Sequence, residues 1–367
     1  MAILLMDGMD CYADTTEFQE AGWQRNSNNS AFSTTAGKNG GGAISMGSGG
    51  SELTWRRAFA YENGYSTEDS PSETFILQAW VKSTNISVGG NKIWARFLSG
   101  IDEIADLELF TDGSMEVTYW NNTTPVATGK SATGLFVVDT WYFLEFSITL
   151  ASTTSATDGS FDFKLDGTTI WSGSSLPLAF NTSTVHRPDS ILLGSAGMSN
   201  MIWDDVIIMD GTGSDINTSS MTGARYIDTM NVASDGGTVD WTRNTGTNDW
   251  EMVDDTANAN DGDTTYVSSN TVAEEGRYNL ETPSNTDDDV HAVQIKARLR
   301  KDDAGARTVR AVMNVAAGTE EVTFDEIGPT TEYQWYSMGV RETNDTGGTA
   351  WDASELTNIE IGVEIVS

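Results

Sequence analysis

The chain has 367 residues and a formal net charge of −34, from 54 Asp and Glu against 20 Lys and Arg. A surface this acidic repels phosphate backbones and anionic lipids, so the composition argues against binding to nucleic acid or to a membrane. The 12 Trp, 13 Phe and 10 Tyr can fill packed cores, whereas Cys11 as the single cysteine excludes an intrachain disulfide.

Short strands separated by turn residues fill the first 213 residues. Alternating apolar residues and Asp-Gly turns, at residues 112–113 and 166–167, predict antiparallel hairpins, and helical periodicity is missing. The predicted strands include residues 75–81, 93–99, 106–110, 114–120, 140–150 and 160–170. An apolar run at residues 3–10 and another at 203–213 are rich in acid and glycine at their ends. We expect these two strands to pair and to close one domain.

Three segments of this half together resemble a known family. They are residues 3–10, the aromatic strand 141–146 followed by the Asp-Gly turn at 166–167, and the closing strand that begins Trp203-Asp204-Asp205. The set resembles the concanavalin-like, or laminin-G-like, jelly-roll domains of phage virion proteins. The resemblance implies a β-sandwich, a place on a virion, and in many such domains a bound Ca²⁺.

The pattern of the sequence changes after residue 240. Residues 290–301 and 308–315 alternate apolar with polar side chains, and the turn at 302–305 between them predicts a half-buried antiparallel hairpin. The pieces 250–254, 260–267 and 347–351, in that order, resemble a module that accompanies such jelly rolls in phage virion proteins. The prediction is an all-β chain of two β-sandwich domains: a jelly roll at 1–213, a junction at 214–240 and a smaller sandwich at 241–367.

The sharpest enzyme candidate is the acidic run of Glu103, Asp106 and Glu108. Jelly-roll glycoside hydrolases place Glu, Asp and Glu on one face of a strand, and retaining chemistry needs two carboxyl groups about 5 Å apart. Asp106 and Glu108 share a face, but regular alternation sends Glu103 to the other side unless a bulge intervenes. The spacing therefore argues against hydrolysis, and no catalytic residue is predicted.

Carboxylates at two places could bind Ca²⁺, which prefers oxygen ligands. The first group is Asp204, Asp205 and Asp210, and the second is Asp254, Asp255, Asp261 and Asp263. The alternative is that these residues only terminate strands and form Asp-Gly turns. Zinc is not expected, because His186, His291 and Cys11 are the whole supply of soft ligands and are scattered.

Much of the scarce positive charge is concentrated in one stretch. It comprises Lys296, Arg298, Arg300, Lys301, Arg307 and Arg310. Two interpretations stay open: local neutralisation of acids on the same surface, or docking to another copy or to a virion platform. A sugar-stacking platform among Trp55, Tyr61, Tyr65, Trp94, Tyr119 and Trp120 is weighed against the interpretation that these rings fill the cores.

The function predicted from these features is non-enzymatic: a structural protein on the outer surface of a phage virion, as head decoration or tail-fibre component. We expect other virion proteins as partners, a homo-oligomer such as a trimer, and synthesis in the host cytoplasm without a signal peptide. No cofactor is predicted apart from the calcium considered above. The alternatives are a carbohydrate-binding adhesin that holds a host-surface glycan, and a glycan depolymerase.

Overall fold

The computed structural model describes residues 3–25, 30–46, 55–58, 74–86, 92–99, 102–121, 123–179, 187–194, 201–211, 223–255, 260–285, 289–315, 320–344 and 350–367. It forms two compact units, one of Met1–Asp10 with Gly22–Ile227 and one of Cys11–Ala21 with Asp228–Ser367. Nearly all regular structure in both is β-strand, which confirms the all-β fold of two β-sandwiches. No helix in the described part of the chain is long and apolar enough to cross a membrane.

The first unit contains fifteen strands among its described residues. They are β1 Ile3–Asp7, β2 Gln24–Arg25, β3 Ser30–Ser33, β4 Ala43–Met46, β5 Trp55–Ala58, β6 Thr74–Ser83, β7 Lys92–Ser99, β8 Asp102–Leu109, β9 Met115–Asn121, β10 Thr124–Ala127, β11 Tyr142–Thr149, β12 Gly159–Leu165, β13 Thr168–Leu176, β14 Ser190–Leu193 and β15 Met201–Asp210. One sheet has the order β13-β12-β11-β6-β15-β4-β3, with β1 added beside β15, and the other has the order β10-β9-β8-β7-β14-β5-β2.

The opening and closing strands pair as the sequence predicts. Strand β1 runs antiparallel to β15, with Ile3 opposite Met209 and Asp7 opposite Val206. Every residue of β15 is buried, because the strand has neighbours on its edges and packed layers on its faces. This closure ties the two ends of the jelly roll together.

Aromatic side chains fill the space between the two sheets of this unit. Phe97 on β7 packs against Phe146 on β11, with ring centroids 5.6 Å apart, and Trp94 meets Trp203 of β15 at 6.0 Å. These rings are almost completely removed from water. Burial of such large apolar surfaces supplies the main stabilisation of the sandwich.

Besides two short 3₁₀ helices, Trp250–Met252 and Glu355–Asn358, the second unit contains one α-helix and eleven strands among its described residues. They are α1 Thr15–Glu20, β16 Val232–Val239, β17 Thr242–Arg243, β18 Val267–Ser268, β19 Glu275–Leu280, β20 Asp289–Val290, β21 Val293–Leu299, β22 Val309–Val315, β23 Glu320–Ile327, β24 Gln334–Arg341, β25 Trp351–Asp352 and β26 Glu360–Ile365. A five-stranded sheet has the order β16-β19-β26-β22-β23, and three two-stranded ribbons pair β17 with β18, β20 with β25 and β21 with β24.

The predicted hairpin of residues 290–301 with 308–315 is wrong. Strand β21 pairs with β24, whereas β22 lies between β26 and β23 in the five-stranded sheet. Ile295 of β21 and Val309 of β22 belong to one buried apolar cluster. Each strand thus buries its apolar face in this shared core without hydrogen bonding to the other, which alternation alone cannot distinguish from edge-to-edge pairing.

Residues 11–21 differ from the predicted domain division, since they belong to the second unit rather than the first. Asp14 caps helix α1 by accepting hydrogen bonds from the backbone N–H groups of Thr16 and Glu17, and Glu17 in return accepts one from the N–H of Ala13. This variant of the capping box, in which Glu17 bonds the N–H just before the cap, explains why the short helix forms where strands were expected. The division between the units on the C-terminal side, at residue 228, lies inside the predicted junction 214–240.

Candidate functional site

A β-bulge brings three acidic side chains of β8 onto one face of the sheet. Leu98 of β7 lies opposite Glu103, but Phe97 lies opposite Ala105, so Ile104 is an extra residue on β8. The bulge restores Glu103 to the face that carries Asp106 and Glu108, opposite to the face of Ala105. Regular alternation predicted the reverse, so the objection that the spacing raised against this acidic run no longer applies.

Arg96 of β7 joins two of these acids. Its Nε donates to Oδ1 of Asp106 at 2.6 Å and its Nη2 donates to Oδ2 at 2.7 Å, while Nη1 binds the carboxylate of Glu103. Arg96 and Asp106 are cross-strand partners in the register. A bidentate guanidinium fixes both the position and the plane of a carboxyl group. The two carboxylates therefore lie within a few ångströms of each other.

Burial gives Asp106 an unusual proton affinity. The side chain is 2% exposed, and burial raises the pKa of Asp106 from 3.8 to about 7, although the bonds from Arg96 oppose the rise. The charges of Glu103 and Glu108 raise the pKa of Asp106 further through repulsion. Glu108 is 8% exposed and accepts a hydrogen bond from the hydroxyl of Thr118 on β9 at 3.1 Å. A carboxyl group with a pKa near 7 can both give and take a proton at neutral pH.

One aromatic side chain extends the same face. Trp120 follows Thr118 by two residues on β9, so both project to the same side of the sheet, and the indole is half-buried. Trp94 and Tyr119 are instead core residues, in contact with Phe136 and Phe161. The side chains of Trp55, Tyr61 and Tyr65, also considered for a stacking platform, lie outside the described residues.

The carboxylates predicted as calcium ligands do not converge. Asp204 and Asp205 lie at a bulge of β15, but Asp210 is at the end of that strand, about 17 Å farther along an extended backbone. Among the described residues no three side chains of the His, Cys, Asp or Glu type are grouped to hold a metal. The geometry therefore gives the predicted set of three ligands no support, because an extended strand separates Asp210 from the other two, and calcium binding stays a prediction.

Asp204 and Asp205 nevertheless form a buried acidic pair. Asp204 accepts hydrogen bonds from the backbone N–H groups of Lys38, at 2.6 Å, and of Asp205, at 2.9 Å. Burial raises the pKa of both carboxyl groups, and the charge of Asp10 raises it further. The backbone of Asp205 has a φ of 50°, a left-handed conformation that Asp and Asn tolerate better than most residues.

The second acidic group considered for calcium is engaged in protein contacts. Asp261 accepts hydrogen bonds from the N–H and the hydroxyl of Thr265, and its own N–H donates to Asp255. Asp263 pairs with Arg300 at 2.8 Å. These carboxylates organise the loop before β18, in agreement with the alternative of a turn role.

The basic residues predicted to dock a partner also form contacts within the second unit. Arg298 makes a two-pronged contact with Glu20, at 2.9 and 3.2 Å, and Arg310 pairs with Glu364 at 2.6 Å. Lys296 donates to the hydroxyl of Tyr12 at 2.9 Å, and Lys301 donates to the carbonyl of Gly305 at 2.7 Å. The interpretation of local neutralisation has this direct support. Docking stays a prediction.

Five of those six residues line a large cavity whose described lining belongs wholly to the second unit. The cavity has a volume of about 870 Å³, and Arg310 alone of the six is outside its lining. Its aromatic lining residues are Trp241, Tyr266, Tyr278, Tyr333 and Trp335. The guanidinium groups of Arg298 and Arg300 lie 4.8 and 4.9 Å from the ring centre of Tyr333. A volume of this size is in the range of ligand pockets.

Sequence reasoning missed several of these residues. Arg96 and Thr118 lie ten residues before and twelve residues after Asp106, and only the antiparallel register of β7, β8 and β9 brings them to it. An arginine at the centre of a strand predicted as apolar was the available signal for Arg96. Tyr278 of the cavity had no such signal.

Comparison with known proteins gives only remote likenesses. No family model matches the chain, and no curated protein matches it in sequence. An endo-β-1,4-glucuronan lyase from Trichoderma reesei is 13% identical, with a TM-score of 0.38 over 51% of this chain and 90% of that one. A PL-14 alginate lyase from Aplysia kurodai is 12% identical, with a TM-score of 0.37 over 50% and 87%. A Trypanosoma rangeli sialidase is 14% identical, with a TM-score of 0.34 over 51% of this chain and 30% of that one.

These likenesses run against two predictions made from the sequence. The structures named above are polysaccharide lyases and a sialidase, so the predictions of a non-enzymatic structural role and of no enzyme activity are wrong by this comparison. Sequence identities and TM-scores this low do not assign any particular activity to this chain. The activity has to be argued from the residues of the acidic face alone.

Proposed function

We propose that the first unit is a glycan depolymerase that hydrolyses glycosidic bonds at the acidic face of β8. The observation that carries the proposal is the bulge at Ile104, which gathers Glu103, Asp106 and Glu108 on one side of the strand. Glycoside hydrolysis canonically needs two carboxyl groups that flank the scissile bond, one of them able to donate a proton. The acidic face supplies both requirements.

Asp106 is the proton donor in this proposal. Its pKa of about 7 keeps a large share of the carboxyl groups protonated at neutral pH, so a proton is available for the leaving-group oxygen. Arg96 holds the carboxyl group in place and Glu103 completes the ion-pair network. Both are positioning residues, because each acts through Asp106.

Glu108 is the second carboxylate and activates the attacking water. It lies two residues beyond Asp106 on the same face, which separates the two Cα atoms by about 7 Å. Side chains on one face of a strand stand roughly parallel, so we infer a similar separation for the two carboxyl groups, within the roughly 6.5–9.5 Å at which inverting enzymes admit a water molecule. The hydroxyl of Thr118 orients the Glu108 carboxylate. Half-buried Trp120 offers an apolar ring on the same face to a sugar.

The test is release of reducing sugar ends from a panel of neutral and acidic polysaccharides. We expect release by the unaltered chain and a loss of about 10²- to 10⁴-fold for Glu108→Gln, the range for removing a positioned acid or base. Proton NMR of the first product should show an inverted anomeric centre. The matched control is Asp162→Asn, which also neutralises one carboxylate but lies on β12 in the other sheet of the sandwich.

Three outcomes contradict the proposal. If no polysaccharide released sugar, the chain would lack the proposed activity. If Glu108→Gln released as much sugar as the unaltered chain, the acidic face would have no catalytic role. Products with an unsaturated ring, detected by their ultraviolet absorbance, would show elimination in place of hydrolysis. On every polysaccharide that the unaltered chain cleaves, the control variant should release sugar at the same rate.

The predicted location on a virion, with other virion proteins as partners and a trimeric assembly, rests on the sequence resemblance. It concerns where the depolymerase is carried and stays a prediction. Light-scattering mass measurement of the purified chain checks the trimer, and mass spectrometry of purified particles checks the location. A monomer in solution and absence from particles would contradict it.

A further inference from the structure

Strand β21 of the second unit has one open edge. Among the described residues it pairs only with β24, in a ribbon of two strands. Each strand of an antiparallel ribbon directs part of its backbone N–H and C=O groups away from its partner. The outer edge of β21 therefore presents a row of backbone groups that can pair with a further strand.

The cavity of the second unit reaches around this open edge. All residues from Ile295 to Lys301 line it, whereas a strand with a single face on a cavity contributes only every second residue. Of β24, only Trp335 lines the cavity, on the face of its cross-strand partner Arg298. The space therefore lies beside β21 on the side away from β24, where the next strand of a sheet would run.

The floor of the cavity is the inner face of the five-stranded sheet. Gly276 and Tyr278 on β19 lie opposite Val363 and Ile361 on β26, and all four line the cavity. Ile361 and Val363 pack against the apolar core of this unit but remain half-buried. In a sandwich the facing sheet covers such side chains. In the described part of the chain, the facing layer thus lacks a strand above this floor.

The size of the cavity corresponds to a short strand. A residue in a sheet takes up about 3.3 Å along the strand, about 4.8 Å to the next strand and about 10 Å between stacked sheets, or roughly 160 Å³. The volume of about 870 Å³ thus accommodates about five residues. Hydrogen bonds to the edge of β21 and apolar contact with the floor would both stabilise a strand in this place.

The two faces of β21 define which strand fits. Ala297 and Leu299 pack against the apolar core, so the residues beside them should be apolar. Lys296, Arg298 and Arg300 alternate with them on the opposite face, where an acidic neighbour is attracted and a basic neighbour is repelled.

The acids already bound to this basic face leave capacity for another. Arg300 binds Asp263 through one nitrogen, Nη2, at 2.8 Å, whereas a guanidinium group has five N–H donors. The Asp263 side chain is 61% exposed, so this pair is open to water and accessible to a second carboxylate.

We propose that the second unit binds an extended peptide segment of another chain, with alternating apolar and acidic residues, as an added strand beside β21. The apolar side chains of this segment lie on Leu299, Ile361 and Val363, and its acidic side chains lie beside Arg298 and Arg300. Docking of a partner, predicted from the basic residues, thereby acquires a definite form, which is β-strand addition. The proposal is independent of hydrolysis by the first unit.

Calorimetric titration of the full chain with synthetic peptides tests this binding. The probe is an acetylated heptapeptide amide in which Glu and Val alternate. One comparison peptide has Lys in place of every Glu, and another has proline at the central position. We expect the Glu/Val peptide to bind and the Lys/Val peptide to bind about tenfold more weakly or less. The proline peptide should also bind weakly, because proline removes a backbone donor and interrupts the ladder.

Hydrogen exchange and a charge reversal locate the binding. Exchange of the amides in residues 293–301 should slow when the Glu/Val peptide is bound. Arg300→Glu changes an exposed residue, so the melting temperature should be nearly unchanged, while the Glu/Val peptide loses affinity and the Lys/Val peptide gains it. Lys130→Glu is the matched control, because it makes the same change of charge at an exposed residue of the first unit and should bind both peptides as the unaltered chain does.

The proposal is overturned if the Glu/Val peptide does not bind, or if the proline peptide binds equally well, since the cavity would then take up apolar groups without pairing. Unchanged exchange in residues 293–301 of the bound chain would have the same meaning. If Arg300→Glu bound both peptides as the unaltered chain does, the basic face would not select acidic residues. These titrations contain no glycan, so failure here leaves the test of the acidic face intact.

Discussion

Replacing Asp205 with asparagine tests whether the buried acidic pair of β15 is protonated in the folded protein. Asp205 is 3% exposed, and burial together with the charge of Asp204 raises its pKa to about 9. Asparagine keeps the shape of the side chain, tolerates the left-handed backbone at this position, and carries no charge. The substitution therefore isolates the cost of the carboxylate.

The sign and size of the effect follow from proton linkage. The unfolded chain releases the Asp205 proton near pH 3.8, whereas the folded chain keeps it. The protonated Asp205 side chain therefore stabilises the folded state fully below the pKa of the unfolded chain. This contribution is lost as the pH rises towards the pKa of the folded chain. Each pH unit in this window removes about 1.4 kcal/mol, so the unaltered chain loses about 3 kcal/mol from this group between pH 5 and pH 7.

The measurement is the free energy of unfolding in urea at both pH values, with a metal chelator present. Hydrogen exchange of the β15 amides assigns the transition to the first unit, because a chain of two units need not unfold in one step. We expect Asp205→Asn to be more stabilising, or less destabilising, at pH 7 than at pH 5 by roughly 2–3 kcal/mol. Taking this difference cancels any effect of the substitution that does not depend on pH.

Asp112→Asn is the control. Asp112 is exposed, and hydrogen bonds from Ser114 lower its pKa, so its carboxylate is ionised in both the folded and the unfolded chain at pH 5 and at pH 7. Its substitution should have the same effect at both pH values. An Asp205→Asn effect that is equally independent of pH would refute the reasoning. If Ca²⁺ added in place of the chelator abolished the pH dependence, it would show that Asp204 and Asp205 bind a cation.

Three further predictions concern other parts of the chain. If Asp106 donates the proton, glycan hydrolysis should decline as the pH rises through about 7, and a pH–rate profile that stays level to pH 9 would contradict this role. Gly362→Ala should lower the free energy of unfolding by about 1–3 kcal/mol, and the melting temperature with it, because the new Cβ would approach the backbone oxygen of Gly276 to 2.2 Å. Gly237→Ala, whose nearest neighbour is a flexible Glu360 carboxylate at 3.4 Å, should leave it unchanged. Arg298→Gln should increase hydrogen exchange in α1, since it removes the bidentate contact with Glu20; unchanged exchange would show that apolar packing alone holds the helix.

Local pattern was sufficient for much of the fold. Alternation and Asp-Gly turns predicted the strands of the first unit, and the acid-flanked apolar runs predicted the pairing of β1 with β15. The capping box at Asp14 and Glu17 was also present in the sequence, although the helix it starts was not predicted. These features could be predicted because each depends on residues close together in the chain.

Partner choice among strands could not be predicted in the same way. Strands β21 and β22 carry the alternation of a hairpin, yet they belong to different sheets and share only a core. Asp204 and Asp210 appeared close in the sequence and lie far apart on an extended strand. Alternation reports which face of a strand is apolar, and it contains no information about the neighbour on either edge.

The sequence by itself determined the acidity of this protein, its all-β character and the presence of three acids in a row of six residues. Only the tertiary structure decided that Glu103 joins Asp106 and Glu108, since one bulged residue, Ile104, reverses the side of the strand on which Glu103 lies. Only it decided that Arg96 and Thr118 meet those acids, because cross-strand register joins residues that the chain separates. The cavity beside Tyr278 likewise depends on how sheets stack, which is a property of the folded chain and not of any segment.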